Sequence, residues 1–226
     1  MSVPVIAIDG PSGTGKGTLA QKLADTLGWH LLDSGALYRI VALGAEWAGI
    51  DYADADGLCA FARGMDVAFA TQFPGSIVLD GEEISAQVRL EESGAKASLV
   101  AAVPALRAAL LQRQRAFRRP PGLVADGRDM GTVVFPDAPL KLYLTASAEE
   151  RAQRRYKQLI NKGVDVSLRT LLGDIQVRDE RDSTRAVAPL KPAEDAVIID
   201  TDALTAAQVF ALVSRRIDET PGLRDA

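Results

Sequence analysis

Residues Gly10-Pro11-Ser12-Gly13-Thr14-Gly15-Lys16-Gly17-Thr18 set four glycines around a single cation. Gly10 to Lys16 has the form G-x-x-x-x-G-K. It lies between a short apolar run and a helical pattern, the setting that a phosphate-binding loop requires. Glycines let successive backbone N–H groups curl around an oxyanion, and a helix opening near Lys16 points its positive dipole end at the same place. Lys16 adds a full charge for the β- and γ-phosphates of a nucleoside triphosphate. One position departs from the general pattern. Ser or Thr usually follows the lysine and holds Mg2+; here Gly17 follows, and Thr18 comes one residue later. No direct protein ligand to the metal is expected. Mg2+ would ride on the phosphates and water, which its hydration chemistry tolerates.

Three further clusters carry charge. Asp33-Ser34-Gly35-Ala36-Leu37-Tyr38-Arg39 follows a second apolar run, with Arg39 about one turn into the next helix. Beside a phosphate loop it is aimed at the crevice; alone it would be a solvated helix charge. Asp126-Gly127-Arg128-Asp129 packs two acids and an arginine around a glycine. Asp126 stands where phosphate-loop enzymes keep an acid for metal-bound water, although a structural turn would use the same residues. Arg151, Arg154 and Arg155 are spaced i, i+3, i+4, and Arg178, Arg181, Asp182 and Arg185 are spaced i, i+3, i+4, i+7, so each set shares a helix face. Two basic faces joined by the polar turn at 161–165 could fold over a polyphosphate as a lid. They could equally be salt-bridged surface helices, with Asp179, Glu180 and Asp182 at hand to neutralise them. The turn Asn161-Lys162-Gly163-Val164-Asp165 superficially resembles a guanine-reading Asn-Lys-x-Asp. It has one residue too many and lies between helices, so GTP specificity is not read from it.

Clustered arginines suit phosphoryl transfer. Charge spreads over the oxygens of the moving group, and preorganised guanidinium groups stabilise it. If the acceptor is itself a phosphate, neutralising two mutually repelling anions is most of the task. A phosphate monoester has a second pKa of about 6, so it is largely dianionic at pH 7 and no strong base is needed. His30 is the sole histidine. A closing lid would also exclude water and prevent wasteful hydrolysis.

Positioning these groups calls for strands. Apolar runs at 3–8, 31–32, 123–125, 140–144 and 196–199 end at or near Asp9, Asp33, Asp126, Thr145 and Asp200. Helical patterns cover about 16–27, 35–48, 104–117, 148–160, 168–185 and 205–217. Such alternation predicts an α/β fold on a parallel sheet, with the polar strand ends gathered in one crevice. Residues 67–88 break the rhythm: Phe69, Ile77, Val78 and Leu79 with the turn Asp80-Gly81 read as a small antiparallel hairpin inserted into that core.

The 226 residues are 47% apolar and 25% charged, an ordinary globular composition. A chain of this size should bury roughly 70–75% of its unfolded surface without disulfide or metal. Cys59 stands alone, which excludes an internal disulfide and fits a reducing compartment. The first residues show no secretory signal and no apolar stretch is long enough to span a bilayer, so a soluble cytoplasmic protein with no membrane partner is expected. A net charge of −4 argues against a general coat for DNA or RNA. Arginine outnumbers lysine 19 to 7, but that ratio can follow codon composition; only the placement of particular arginines is informative.

Taken in order, the segments 7–18, 32–39, 125–136 and 178–182 closely resemble the bacterial cytidylate kinases, and the likeness runs through nearly the whole chain, hairpin included. Gly17-Thr18 is normal among nucleoside monophosphate kinases. The resemblance implies an α/β P-loop NTPase fold: a parallel five-stranded sheet flanked by helices, an inserted acceptor domain with a small antiparallel sheet, and a helical lid. It implies a core of 1–34, 118–148 and 186–226, an acceptor insertion at 35–117 and a lid with flanking helices at 149–185. The implied reaction is ATP + (d)CMP ⇌ ADP + (d)CDP, with Mg2+ carried by ATP, in a monomer serving pyrimidine metabolism. Lys16 with Gly10 to Thr18 would hold ATP. Ser12, Arg39, Arg128 and Arg185 would hold the acceptor phosphate, with Asp33 and Ser34 nearby. Ser98, Arg107 and Asp129 would read cytosine, and Arg178 and Asp182 the sugar. Arg154 and Arg155 would close on ATP. Cytosine offers an N4 donor to Asp129 and acceptors at N3 and O2 to Arg107 and Ser98; uracil reverses the pattern at positions 3 and 4. The rival readings are another P-loop small-molecule kinase acting on UMP, AMP or a shikimate-like acceptor, and a nucleotide-dependent switch that is not an enzyme.

Overall fold

A computed structural model describes residues 3–70 and 76–223. The chain divides into two compact units. One runs up to Asp33 and resumes at Arg115; the other is Ser34–Gln114.

The larger unit is built on five parallel strands: β1 (Val5–Asp9), β2 (His30–Asp33), β6 (Leu123–Gly127), β7 (Leu140–Thr145) and β8 (Val197–Asp200), in the order β2-β6-β1-β7-β8. β1 and β6 are buried throughout and accordingly apolar on both faces, as central parallel strands are. Helices α1 (Lys16–Leu27) and α9 (Ala206–Glu219) cover the sheet. Leu19 and Leu23 of α1 and Val209, Val213 and Ile217 of α9 share one core with Ile6, Ile8, Val124, Leu142 and Leu144. The capping box of Thr205 and Gln208 starts α9. α7 (Ala148–Ile160) and α8 (Leu168–Thr184) pack against each other. A π-helical turn, Met130–Val134, follows β6.

The strand and helix expectations hold for this unit, most with ends displaced by one or two residues. Each strand ends on the polar residue that was expected to lie beside it, with β6 running one residue past Asp126. That places Asp9, Asp33, Asp126, Thr145 and Asp200 at or beside the carboxyl edge of the sheet.

The smaller unit holds α2 (Ser34–Trp47), α3 (Ala55–Gly64), β3 (Val67–Ala70), β4 (Ser76–Leu79), β5 (Glu82–Glu83), α4 (Ser85–Val88), α5 (Glu91–Val100) and α6 (Pro104–Arg115, its last residue belonging to the larger unit). The expected hairpin is a three-stranded antiparallel sheet, β3-β4-β5, with Asp80-Gly81 joining its second and third strands. Residues 71–75 of that expectation lie outside the described residues. Three helices were missed, α4 lying at the end of the segment 67–88 that was read as a hairpin. α3 is short, and α5 carries small residues without a marked apolar stripe, although it packs on α2. No single helix among the described residues is long and apolar enough to cross a membrane.

Candidate active site

The phosphate loop links β1 to α1. Gly10 (φ 145°) passes so close to the end of β7 that a Cβ there would collide with the Leu144 carbonyl, so only glycine lets the loop turn here. Gly15 caps α1 in the left-handed region (φ 88°), which bends the chain into the curl that exposes its amides. Lys16 is buried, and its Nζ donates to the Pro11 carbonyl at 3.0 Å, folding the side chain back over the loop. Thr14 Oγ1 donates to the same carbonyl at 3.2 Å. Burial pulls Lys16 down to about 7; Arg128 and Arg178 push the same way, while Asp126 and Asp33 resist. Desolvation leads that shift, so an anion bound against Lys16 would favour its charged form.

Gly17 has no side chain to offer a metal. A Cβ there would lie 3.2 Å from Asp126 Oδ2, so the glycine leaves the space between the helix start and this buried carboxylate clear. Thr18 is exposed. The arrangement suits a hydrated Mg2+ carried on the phosphates, with Asp126 placed to accept from its waters.

Side chains from the end of β6, from α8 and from Arg185 just past it meet in the larger unit. Arg128 Nε donates to Asp182 Oδ2 at 3.0 Å. Burial works against the Arg128 charge, but Asp182 and Asp126 outweigh it and hold the guanidinium above its ordinary range. Arg185 Nη2 lies 3.8 Å from Asp129 Oδ1, with both side chains almost wholly buried. Arg185 Nε donates to the Ala188 carbonyl. Arg178 Nη1 donates to Ser12 Oγ at 3.4 Å, so α8 reaches the phosphate loop itself.

The first arginine-bearing helix behaves differently. Arg151 is buried; its guanidinium donates to both carboxylate oxygens of Asp179 and to the carbonyls of Ala146, Ser147 and Ser12. Arg154 donates to Glu150 Oε1 at 2.9 Å and to Thr201 Oγ1 and O at 3.2 and 2.5 Å. Arg155 donates to Gln158 at 3.2 Å. Of the two openings left by the spacing, internal salt bridging describes Arg151 and Arg154, and the acid that neutralises Arg151 is Asp179.

In the smaller unit, Ser34 Oγ donates to Gln114 Oε1 at 2.8 Å; both are buried, and the bond ties the unit's first and last residues. Arg39 Nη1 donates to the Val88 carbonyl at 2.9 Å. Ser98 and Arg107 are buried, on α5 and α6. Arg107 stacks its guanidinium over the Tyr38 ring at 5.5 Å and donates to the Ala101 carbonyl at 3.4 Å.

Sequence reasoning noted Asp9 only as a strand end. Its side chain is buried, and its two oxygens accept the Met130 and Gly131 amides at 2.8 Å each. Burial drives Asp9 up to about 7 against the pull of those amides, with Asp129 and Asp126 adding to the rise. Arg151 was likewise read only as part of a basic face, although it grips the phosphate loop. No local signal identifies either role, because the partners lie more than a hundred residues away in the chain.

A family model described as cytidylate kinase matches residues 6–219. The cytidylate kinase of Pseudomonas entomophila (strain L48) is 60% identical over 225 residues, covering 98% of this chain and 97% of that protein. That of Pseudomonas putida (strain W619) is 62% identical over 210 residues, covering 92% of each. Among solved structures, a shikimate kinase from Bacteroides thetaiotaomicron aligns over 96% of this chain and 97% of its own, at 14% identity and a TM-score of 0.45. By the family model and by the 60–62% identity to these cytidylate kinases over nearly the whole chain, the chain belongs to the cytidylate kinase family.

Proposed function

We infer that this chain transfers the γ-phosphoryl group of ATP to CMP or dCMP, releasing ADP and CDP or dCDP. The observation that carries the reading is the reach of Arg178 to Ser12, which joins the cationic cluster of Arg128, Arg178 and Arg185 to the phosphate loop. A second anion bound there lies beside the first, which is what transfer between two phosphates needs.

In this reading the smaller unit is the acceptor insertion and residues 149–185 form the lid. The loop amides and Lys16 cradle ATP, which arrives with Mg2+ on its phosphates. Ser12, Arg39, Arg128 and Arg185 hold the acceptor phosphate. One of its oxygens attacks the γ-phosphorus as the bond to the β-bridging oxygen breaks, and ADP leaves. The dianionic acceptor needs no general base. The arginines cancel the repulsion between the anions and stabilise the charge on the moving group. Asp129 accepts from cytosine N4, Arg107 and Ser98 donate to N3 and O2, and Arg178 and Asp182 hold the sugar; UMP presents the reversed pattern. On the donor side the lid contribution falls to Arg155, since Arg154 is committed to Thr201.

An acceptor screen tests this. ADP release from MgATP is measured with CMP, dCMP, UMP, AMP and shikimate. CMP and dCMP are expected to be the good acceptors. Poor turnover of CMP beside good turnover of UMP or AMP overturns the base assignment, and slow hydrolysis that no acceptor stimulates would mark a nucleotide switch.

A further inference from the structure

We propose that Asp9 is a positioning residue for the acceptor nucleotide, its carboxylate fixing the Arg128–Asp129 turn by gripping the two amides that follow it. The inference rests on the reading of Arg128 and Asp129 as acceptor-binding groups.

The strand ladder explains why such a grip is needed. β1 pairs in parallel with β6 only as far as Asp9 opposite Gly127. The chain then leaves the sheet, and Asp129 (φ −146°, ψ 26°) opens the π-helical turn at Met130. At that point the first amides of the turn have no strand partner. Asp9 supplies one: Oδ1 accepts Met130 N–H and Oδ2 accepts Gly131 N–H. The next residue after Asp9 is Gly10, so one carboxylate references the acceptor turn to the start of the phosphate loop.

The choice of aspartate is informative. Two adjacent amide donors need two acceptors in the space of one short side chain, and only a carboxylate provides them; asparagine would turn an N–H donor toward one of the amides. The choice is also costly. Asp126 and Asp129 already crowd this region with negative charge, and burial raises the cost of a third carboxylate. Arg128, which feels the Asp9 charge, offsets part of it from the turn being held. With both oxygens engaged by backbone, Asp9 acts through Arg128 and Asp129, not on the reacting atoms.

The test is Asp9→Asn, with KM measured separately for both substrates. A turn shifted by about an ångström should raise the KM for CMP about tenfold or more, while the KM for ATP changes less than about threefold. Amide exchange at Met130 and Gly131 should quicken in the same variant. Equal changes in the two KM values, or a lower Tm with neither KM altered, would overturn the proposal, because that is how a purely structural residue behaves. Arg128→Ala separates this from the underlying reading. If Arg128→Ala raises the KM for CMP and Asp9→Asn does not, Asp9 alone is misassigned; if Arg128→Ala has no effect on it, the acceptor-site reading fails and takes the Asp9 proposal with it. Should Asp9→Asn not fold, Asp9→Ser, which keeps one acceptor and buries no charge, must show the same split between the substrates.

Discussion

In the proposed reading, the phosphate loop and the arginine cluster that would hold the acceptor bind the same kind of group by opposite means. The loop is contiguous, made of nine residues whose backbone conformation does the work, with Lys16 as its cation. The cluster is assembled from the end of β6 and from α8 and held by charge pairing: Arg128 with Asp182, Arg185 beside Asp129. A backbone cradle is indifferent to what hangs from the phosphate. Paired side chains are not, since Arg128 and Arg185 are each held beside an acid, Asp182 and Asp129. In that reading, affinity for a triphosphate belongs to the loop and choice of acceptor to the cluster.

The largest effect that could break this division comes from Lys16→Ala. Removal of a preorganised charge from a transition state typically costs about 10²–10³ in kcat, and a loss of at least that size is expected here. CMP binding, measured by calorimetry or competition, should survive. Near-normal turnover would remove Lys16 from the chemistry, and a parallel loss of CMP affinity would dissolve the distinction between loop and cluster.

Asp129→Ala acts on the other side. A well-placed polar contact to a base discriminates by about 1–3 kcal/mol, so the ratio of kcat/KM for CMP over UMP should fall by about tenfold to a hundredfold. The KM for ATP should move far less. An unchanged ratio takes Asp129 out of the base pocket.

The two regions also meet electrostatically, and pH exposes the coupling. Burial, then Arg128 and Arg178, hold Lys16 near 7 in the free protein, well under its ordinary range. Bound phosphates favour the charged lysine and raise it again. The sign follows. Below pH 7 Lys16 is already protonated and ATP affinity is insensitive to pH on its account. Above 7 the free protein has lost that proton, binding must take one up, and affinity falls by up to about tenfold per pH unit until the bound-state value is passed. Calorimetry in buffers of different ionisation enthalpy should register uptake approaching one proton near pH 8, and none in Lys16→Ala. No uptake in the unaltered protein would mean that neither burial nor the arginines hold Lys16 below its ordinary range.

The loop was legible in the sequence because everything it needs is local: a strand, glycines at set intervals, a lysine and a helix start. The sheet was legible for a related reason, since each apolar run stops at or beside the polar residue it delivers to the carboxyl edge. The cluster was legible only as residue types. Spacing puts Arg151, Arg154 and Arg155 on one face of α7 just as it groups Arg178 with Arg185, which the structure places one residue past the end of α8, but it does not say what each face meets. Asp179 and the Ser12 carbonyl claim Arg151, and Thr201 claims Arg154, through contacts between segments far apart in the chain. Ser34, expected near the acceptor, uses its hydroxyl on Gln114, eighty residues later. α5 escaped notice because a short helix that packs through small side chains leaves little apolar periodicity to read; α3 does bury one face, Leu58, Cys59 and Ala62, but over only ten residues.

The smallest effect tests whether α7 serves the loop or the fold. Arg154 and Arg155 are neighbours, and the family resemblance points both at ATP. Arg154 spends its donors on Glu150 and Thr201, a tether between α7 and the turn after β8. Its side chain is 27% exposed, so the tether is only partly shielded from water and is worth about 0.5–1.5 kcal/mol. Arg154→Gln should therefore lower the Tm by a few degrees and leave the KM for ATP within about threefold. Arg155 bonds Gln158 one turn along its own helix at 3.2 Å. Arg155→Gln should raise the KM for ATP about fivefold to tenfold with little change in Tm, the cost of one charged hydrogen bond to a ligand. Equal losses of ATP affinity in both variants would place both side chains on the nucleotide and extend the donor site along α7. Equal losses of stability without any change in KM would leave the loop as the sole ATP-binding element.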